Sequence, residues 1–333
     1  MSNRPDFSLT QLLYFATIAE TENISEAAMR LHASQSAVSS AMQRLERQLG
    51  VQLLLRQRAK GVVLTPAGRL LLKDVRKILR QAQELKDVSG FLQETASGHL
   101  DAGCCCVITP FLMPRALARA EVTHPRLRVT VHDTQTPYDL LRDGVCELVV
   151  TYRLSSAEDM VFTELARPAL SALVSAEHPL AGEPSASLAD FADLPLLMLA
   201  LPHTGAHDAH IRRIYAASGT PMPRVIYATG LESLRGLVSV GMGFTLTHQP
   251  HSAQTLDGGR VTLVPVSGDH PDLPIGVLTM AGVRPSRRAE SFVAALRATA
   301  RQVYEPGIRP LLDLDVPLPL AQQTDTHRVL GLV

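Results

Sequence analysis

Residues 24–68 read ISEAAMRLHASQSAVSSAMQRLERQLGVQLLLRQRAKGVVLTPAG, and no other stretch restricts the fold as much. Two short amphipathic segments meet across a tight junction. Two apolar runs with cations between them follow. Upstream, Leu9, Leu12, Leu13, Ala16 and Ala19 recur at helical spacing and predict a helix over 8–20. Asn23 to Ser25 interrupt it. Ser25 is the expected cap of a second, short helix, with Glu26 in its first turn and an end near His32. Ser34 is expected to cap a third helix over about 35–48, closed by Gly50.

The third helix has two distinct sides. At about 100° per residue, Val38, Ala41, Met42, Leu45 and Leu49 fall together. Ser36, Ser39, Ser40, Gln43, Arg44 and Arg47 fall opposite. Small hydrogen-bonding residues suit base edges, and cations suit phosphates. Two helices joined by a short turn, the second polar and cationic outside, form a helix-turn-helix. The runs QLLL and GVVLT then predict a hairpin with Arg56, Arg58 and Lys60 at its tip. A basic tip beside a recognition helix can meet phosphate or a minor groove, as the wing of a winged helix-turn-helix does.

Charge supports this placement. The chain is formally neutral, yet residues 1–90 hold thirteen Lys and Arg against eight Asp and Glu. The remainder holds nineteen against twenty-four. A local basic block points to one module that meets a polyanion. The N-terminus lacks the apolar core of a signal peptide, and no apolar run can span a bilayer, so a cytoplasmic, nucleoid-associated protein with no membrane partner is expected.

Thr65-Pro66 opens another helix, with Thr as cap and Pro at the first position. Leu71, Val75, Ile78, Ala82, Leu85, Ser89 and Leu92 follow at alternating four- and three-residue steps. That repeat is the seam of a coiled coil and predicts dimerisation; the rival reading is a helix lying on its own domain's core.

The segment LLYFATIAETENISEAAMRLHASQSAVSSAMQRLERQLGVQLLLRQRAKGVVLTPAGRLLL resembles the DNA-binding part of LysR-type transcriptional regulators. The likeness runs through SEAAMRL, SQSAVS, RLERQLG and LTPAG. Ser36 stands where the family often has proline, and Ser40 where a larger residue is common. The DNA contacts expected here are Ser34, Gln35, Ser36, Ser39, Ser40, Gln43, Arg44, Arg56, Arg58 and Lys60. The resemblance implies double-stranded operator DNA, a homodimer through the linker helix, assembly to a homotetramer, and contact with RNA polymerase.

Beyond residue 100, short apolar strands alternate with helical patterns. Strands are expected near 127–132, 147–152, 169–175, 195–199, 224–228, 243–247, 260–266 and 273–280. Helices are expected near 110–120, 136–143, 205–218, 231–241 and 286–303. This predicts α/β lobes with mostly parallel sheets. LDAGCCCVITPFLMP, LLRDGVCELVVTY and LALPHTGAHDAHIRRIYAASG resemble the same family's effector domain. The expected fold is therefore multidomain α plus α/β: a winged helix-turn-helix, a long linker helix, and a two-lobed, periplasmic-binding-protein-like (type 2) effector domain. The expected bounds are 1–65, 66–96 and 97–304, with lobe I at about 100–168 plus 274–304, lobe II at about 169–273, and a partly disordered tail over 305–333.

The resemblance implies an effector cleft lined by Cys106, Val107, Tyr152, Pro202, His203, Thr204, Thr229, Gly230 and Thr247. Free amides at the starts of helices 205–218 and 231–241 favour an anion, so a small organic acid or related anion is the expected effector. Cys104, Cys105 and Cys106 read first as buried packing, with effector contact, thiol sensing or metal binding as alternatives. His203, His207 and His210 share a helical side and allow a metal site; the helix-start role of His203 is preferred, and no metal or cofactor is expected. His248 and His251 are assigned to a loop. An enzyme is the main rival class, but no dinucleotide, P-loop, nucleophile-elbow or zincin motif is present. An exported solute-binding protein is the other, disfavoured by the basic helix-turn-helix.

Overall fold

A computed structural model of the chain describes residues 6–57, 61–89, 96–154, 158–200 and 205–304. Residues 1–94 with 139–145 form one compact unit, and 95–138 with the chain from 146 onward form another.

The first unit opens with α1 (Leu9–Thr21), α2 (Ile24–Arg30) and α3 (Gln35–Leu49). Ser8 and Gln11 cap α1 reciprocally, so two of its orphan amides are satisfied. The cap of α2 is Asn23, not Ser25: the Asn23 side chain accepts from the amides of Ser25 and Glu26 at 2.9 and 3.3 Å. Asn23 has extended backbone angles, whereas Ser25 already lies inside the helix. Ser34 caps α3 and Gly50, at φ 67°, ends it in the left-handed region. Val38, Met42 and Leu45 of α3 pack with Leu12, Phe15 and Ile18 of α1 and with Ala27 and Ala28 of α2. Strands β1 (Leu54–Gln57) and β2 (Gly61–Leu64) pair antiparallel as the expected hairpin. Glu46 anchors its start by accepting from the amides of Leu53 and Leu54. Gly61 is required at φ 78°, and a Cβ there would meet the Glu22 carbonyl at 2.6 Å.

Helix α4 (Pro66–Ser89) begins as expected, with Thr65 Oγ1 accepting from the Gly68 amide. Its inner face differs from the predicted seam. Leu72 and Val75 are buried in the core of the first unit, with Leu71 and Leu79 packed against them. Ile78 is 38% exposed and Leu70 69%. Val75 is thus buried within its own domain, whereas Ile78 of the same repeat stays open. The Leu85 side chain and Leu92 lie outside the described residues.

The second unit holds β3 (Gly98–Cys105), α5 (Thr109–Thr123), β4 (Leu127–Thr134), α6 (Pro137–Arg142), β5 (Leu148–Tyr152), β6 (Met160–Ala166), β7 (Ser171–Ser175), β8 (Leu196–Leu199), α7 (Gly205–Ser218), β9 (Val225–Ala228), α8 (Leu231–Ser239), β10 (Thr245–Thr247), β11 (Val261–Pro265), β12 (Ile275–Met280) and α9 (Arg287–Tyr304), α6 passing out of the unit at Asp139. One sheet has the order β4-β3-β5-β12-β6. β3 runs parallel to β4 and β5, whereas β12 runs antiparallel to β5 and β6. Helices α5 and α9 close its core through Leu112, Ala116, Phe292 and Leu296. The other lobe combines an antiparallel β10-β7-β11 sheet with the parallel pair β8-β9. Its core includes Phe191 stacked on Phe244 at 4.8 Å. The sheets are therefore mixed rather than mostly parallel. The chain re-enters the first lobe through β12, and a returning strand between two others is free to pair antiparallel.

Candidate DNA interface and effector cavity

In α3 the inward residues leave a continuous outer side. Ser34, Gln35, Ser36, Ser40, Gln43 and Arg44 are exposed and Ser39 is half-buried. The Ser34 and Ser36 hydroxyls lie 3.0 Å apart, at the start of the helix. Arg56 belongs to β1, and Arg58 and Lys60 lie outside the described residues. The described part of this surface can donate and accept hydrogen bonds at its start and offers cations towards its end.

The second unit contains a cavity of about 70 Å³. It sits where several strands end, as expected for α/β sheets. Tyr152 closes β5, Leu199 closes β8, Thr247 closes β10, and Val107 follows β3; all line it. Phe111, Ile211, Leu231, Leu234 and Leu273 give it apolar walls. Cys106 and Gly230 are next in sequence to lining residues and Thr229 is one residue further off, none of the three lining the cavity itself, and Pro202, His203 and Thr204 lie outside the described residues.

Of the polar lining, Tyr152 and Thr247 were expected from the sequence and the rest was not. His207, His248, Gln249 and His251 all face this cavity. His248 and His251 lie in the loop after β10, as expected, but this loop packs inward and buries both. The clue in the sequence was a pair of imidazoles directly after a strand end. Gln249 bridges two buried phenols: its Nε2 donates to Tyr152 and its Oε1 accepts from Tyr304 at 2.8 Å. Burial holds His248 down to about 4 and His251 down to about 3. Burial also raises the Tyr152 phenol far above its usual value. No group of three His, Cys, Asp or Glu among the described residues is placed to hold a metal.

The cysteine run divides by environment. Cys104 is pushed up to about 12 by burial. Cys105 is pushed up first by its hydrogen bond to Cys106 and then by burial, and that same bond lowers the half-buried Cys106 thiol. Cys146 is buried.

A trihelical unit with an exposed polar and cationic third helix, joined to a two-lobed α/β unit with a polar-floored cavity, is the build of a ligand-responsive DNA-binding regulator. Residues 9–69 match the model of the bacterial regulatory helix-turn-helix proteins of the lysR family, and 93–301 match that of the LysR substrate binding domain. The chain belongs to the LysR family of transcriptional regulators, which are DNA-binding proteins and not enzymes. It is 30% identical over 298 residues to the Escherichia coli K12 DNA-binding transcriptional dual regulator OxyR, covering 87% of this chain and 95% of that one. A full-length OxyR variant from Pseudomonas aeruginosa shares its fold, with a TM-score of 0.71 at 22% identity over 91% of this chain and 98% of that one. So does full-length CbnR solved with its target DNA, at 0.59 and 23% over 88% and 100%.

Proposed function

We propose that this regulator binds operator DNA through the outer side of α3 and the β1–β2 wing, under the control of a small organic acid held in the cavity. The observation that carries the acid reading is the start of α8. Its cap, Gly230, has no side chain to satisfy the first amides, and the next residue, Leu231, lines the cavity. Free helix-start amides take a carboxylate, and the apolar walls take its hydrocarbon body. By the family reading the protein works in the cytoplasm on the nucleoid, as a homodimer through α4 and a homotetramer, and meets RNA polymerase at the promoter. Effector binding shifts the lobes between two arrangements and thereby re-spaces the paired recognition helices.

One observation favours a second reading. Curated relatives are named hydrogen peroxide-inducible genes activators, and the Cys106 thiol is lowered and half-buried beside Cys105. A Cys106 thiolate would attack peroxide, break the O–O bond and become a sulfenic acid, releasing hydroxide.

One experiment separates the two: thermal unfolding and operator binding of the full chain with butyrate, benzoate or hydrogen peroxide. A saturating acid at 100-fold over its Kd stabilises by about 2.7 kcal/mol, on the order of 5–10 °C. A response to the acids supports the first reading. A response to peroxide alone, lost in Cys106→Ser, replaces it with the second.

A further inference from the structure

The acid reading meets a difficulty of charge. Among the described residues lining the cavity there is no lysine or arginine. The ionisable groups there are Tyr152 and the imidazoles of His207, His248 and His251.

The hydrogen bonds of His248 fix its tautomer. Its Nδ1 lies 3.1 Å from the Pro168 carbonyl oxygen. A carbonyl can only accept, so Nδ1 carries the proton. In the neutral ring Nε2 is then a bare lone pair. That atom is buried without a partner among the described residues, and the residue is 6% exposed. Neighbouring Gln249 is already committed to Tyr152 and Tyr304.

A carboxylate has only lone pairs to offer and would repel Nε2. Two arrangements remove the conflict. A carboxylic acid donates its O–H to Nε2, or a carboxylate accepts from a protonated Nε2–H. Both hold one proton more than the free carboxylate plus the neutral imidazole.

We propose that an acid effector enters this cavity together with one proton shared with His248 Nε2, so that the regulator responds to the acid and the proton jointly. This rests on the acid reading above. A neutral alcohol or amide donor would fill the same position without a proton.

The surroundings keep the free ring neutral, so the extra proton has to arrive with the acid. From α7, His207 faces His248, and the His210 ring centroid lies 5.7 Å from that of His248. From the segment before β12 come Asp272 and His270. Asp272 favours the charged ring but is paired with Arg167 at 2.6 Å, while His207, His270 and burial oppose it. Arg235 of α8 faces His251 and is paired with Glu232 at 2.8 Å. With the cavity empty, His248 is neutral at pH 7. The complex holds one more proton than its parts, so affinity falls as pH rises, about tenfold per unit from roughly pH 6 to 8.

The test is calorimetric titration of the full chain with butyrate and benzoate at pH 6, 7 and 8. Buffers of different ionisation enthalpy count the protons. Butyramide and benzyl alcohol serve as neutral counterparts. The expected result is uptake of about one proton per acid and a tenfold loss of affinity per pH unit. His248→Gln should abolish both. Should that variant fail to fold, the wild-type proton count still decides. Acid binding with no uptake and a flat pH profile would overturn the proposal and leave the acid reading standing, with the α8 amides as the whole anion site. A slope that persists in His248→Gln overturns the assignment to that residue. If neither acid binds, the acid reading fails and this inference with it.

Discussion

Three imidazoles, His210, His248 and His251, are buried at 1%, 6% and 5% exposure, and each is held neutral mainly by that burial. Burial lowers His210 and His248 to about 4 and His251 to about 3. In the unfolded chain each titrates near its ordinary value of about 6.5. Between these limits the unfolded chain binds more protons, so the native state loses stability as pH falls from about 6.5 towards 4. At about 1.4 kcal/mol per unit, each histidine contributes on the order of a few kcal/mol to that loss. Urea unfolding of the ligand-free chain at pH 7.5, 6, 5 and 4.5 should show midpoints dropping steadily below pH 6.5, and less so in His251→Gln. A midpoint constant down to pH 4.5 would mean that these rings reach water in the native state. None of this was legible in the sequence. A histidine after a strand end reads as solvated until the turn carrying it is seen to fold back into a cavity.

At the scale of elements, most of the order was legible because caps and periodicity are local. Ser34, Gly50 and Thr65-Pro66 mark helix ends by chemistry that acts within a few residues. The errors arose where a long-range contact decides. Strand β6 was not expected: of its residues only Met160 and Leu165 are buried, so it shows no alternation. It lies at the sheet edge, and β12 is the partner that makes it a strand. The repeat of α4 likewise cannot say by itself whether Val75 faces a second chain or its own core, and Val75 is buried in the core of the first unit. The α2 cap was misplaced by two residues, since Asn and Ser are equally good caps and only backbone angles choose between them. That gives a direct check. Asn23→Ala should destabilise the chain by about 1 kcal/mol, because two amides lose their acceptor, whereas Ser25→Ala should change stability by under about 0.5 kcal/mol. Chemical denaturation of both variants reads the difference. Equal losses would return the cap to Ser25.

Across the whole molecule, charge is unevenly placed. A formally neutral chain has no net attraction for DNA, yet residues 1–90 carry thirteen cations against eight anions. The uneven distribution places the electrostatic term on one unit, and Arg44, exposed on α3, is a proposed phosphate contact. Each phosphate neutralised releases counterions and adds about 0.9 to the slope of log K against log salt. Arg44→Ala should therefore weaken binding to every duplex alike and lower that slope by about 0.9 for each protomer bound. Gln43, its neighbour on the same exposed side, offers an amide that can pair with a base edge but no charge. Gln43→Ala should leave the slope unchanged and alter the ranking of operator variants by about 1–3 kcal/mol at one base pair per half-site. Fluorescence anisotropy over 50–300 mM salt, on the operator and on its single-base variants, measures both quantities in one series. If Arg44→Ala leaves the slope intact, that side of α3 does not rest on the backbone. If Gln43→Ala weakens all duplexes equally, the helix enters the groove on a different face, and the cations of the wing hold the register instead.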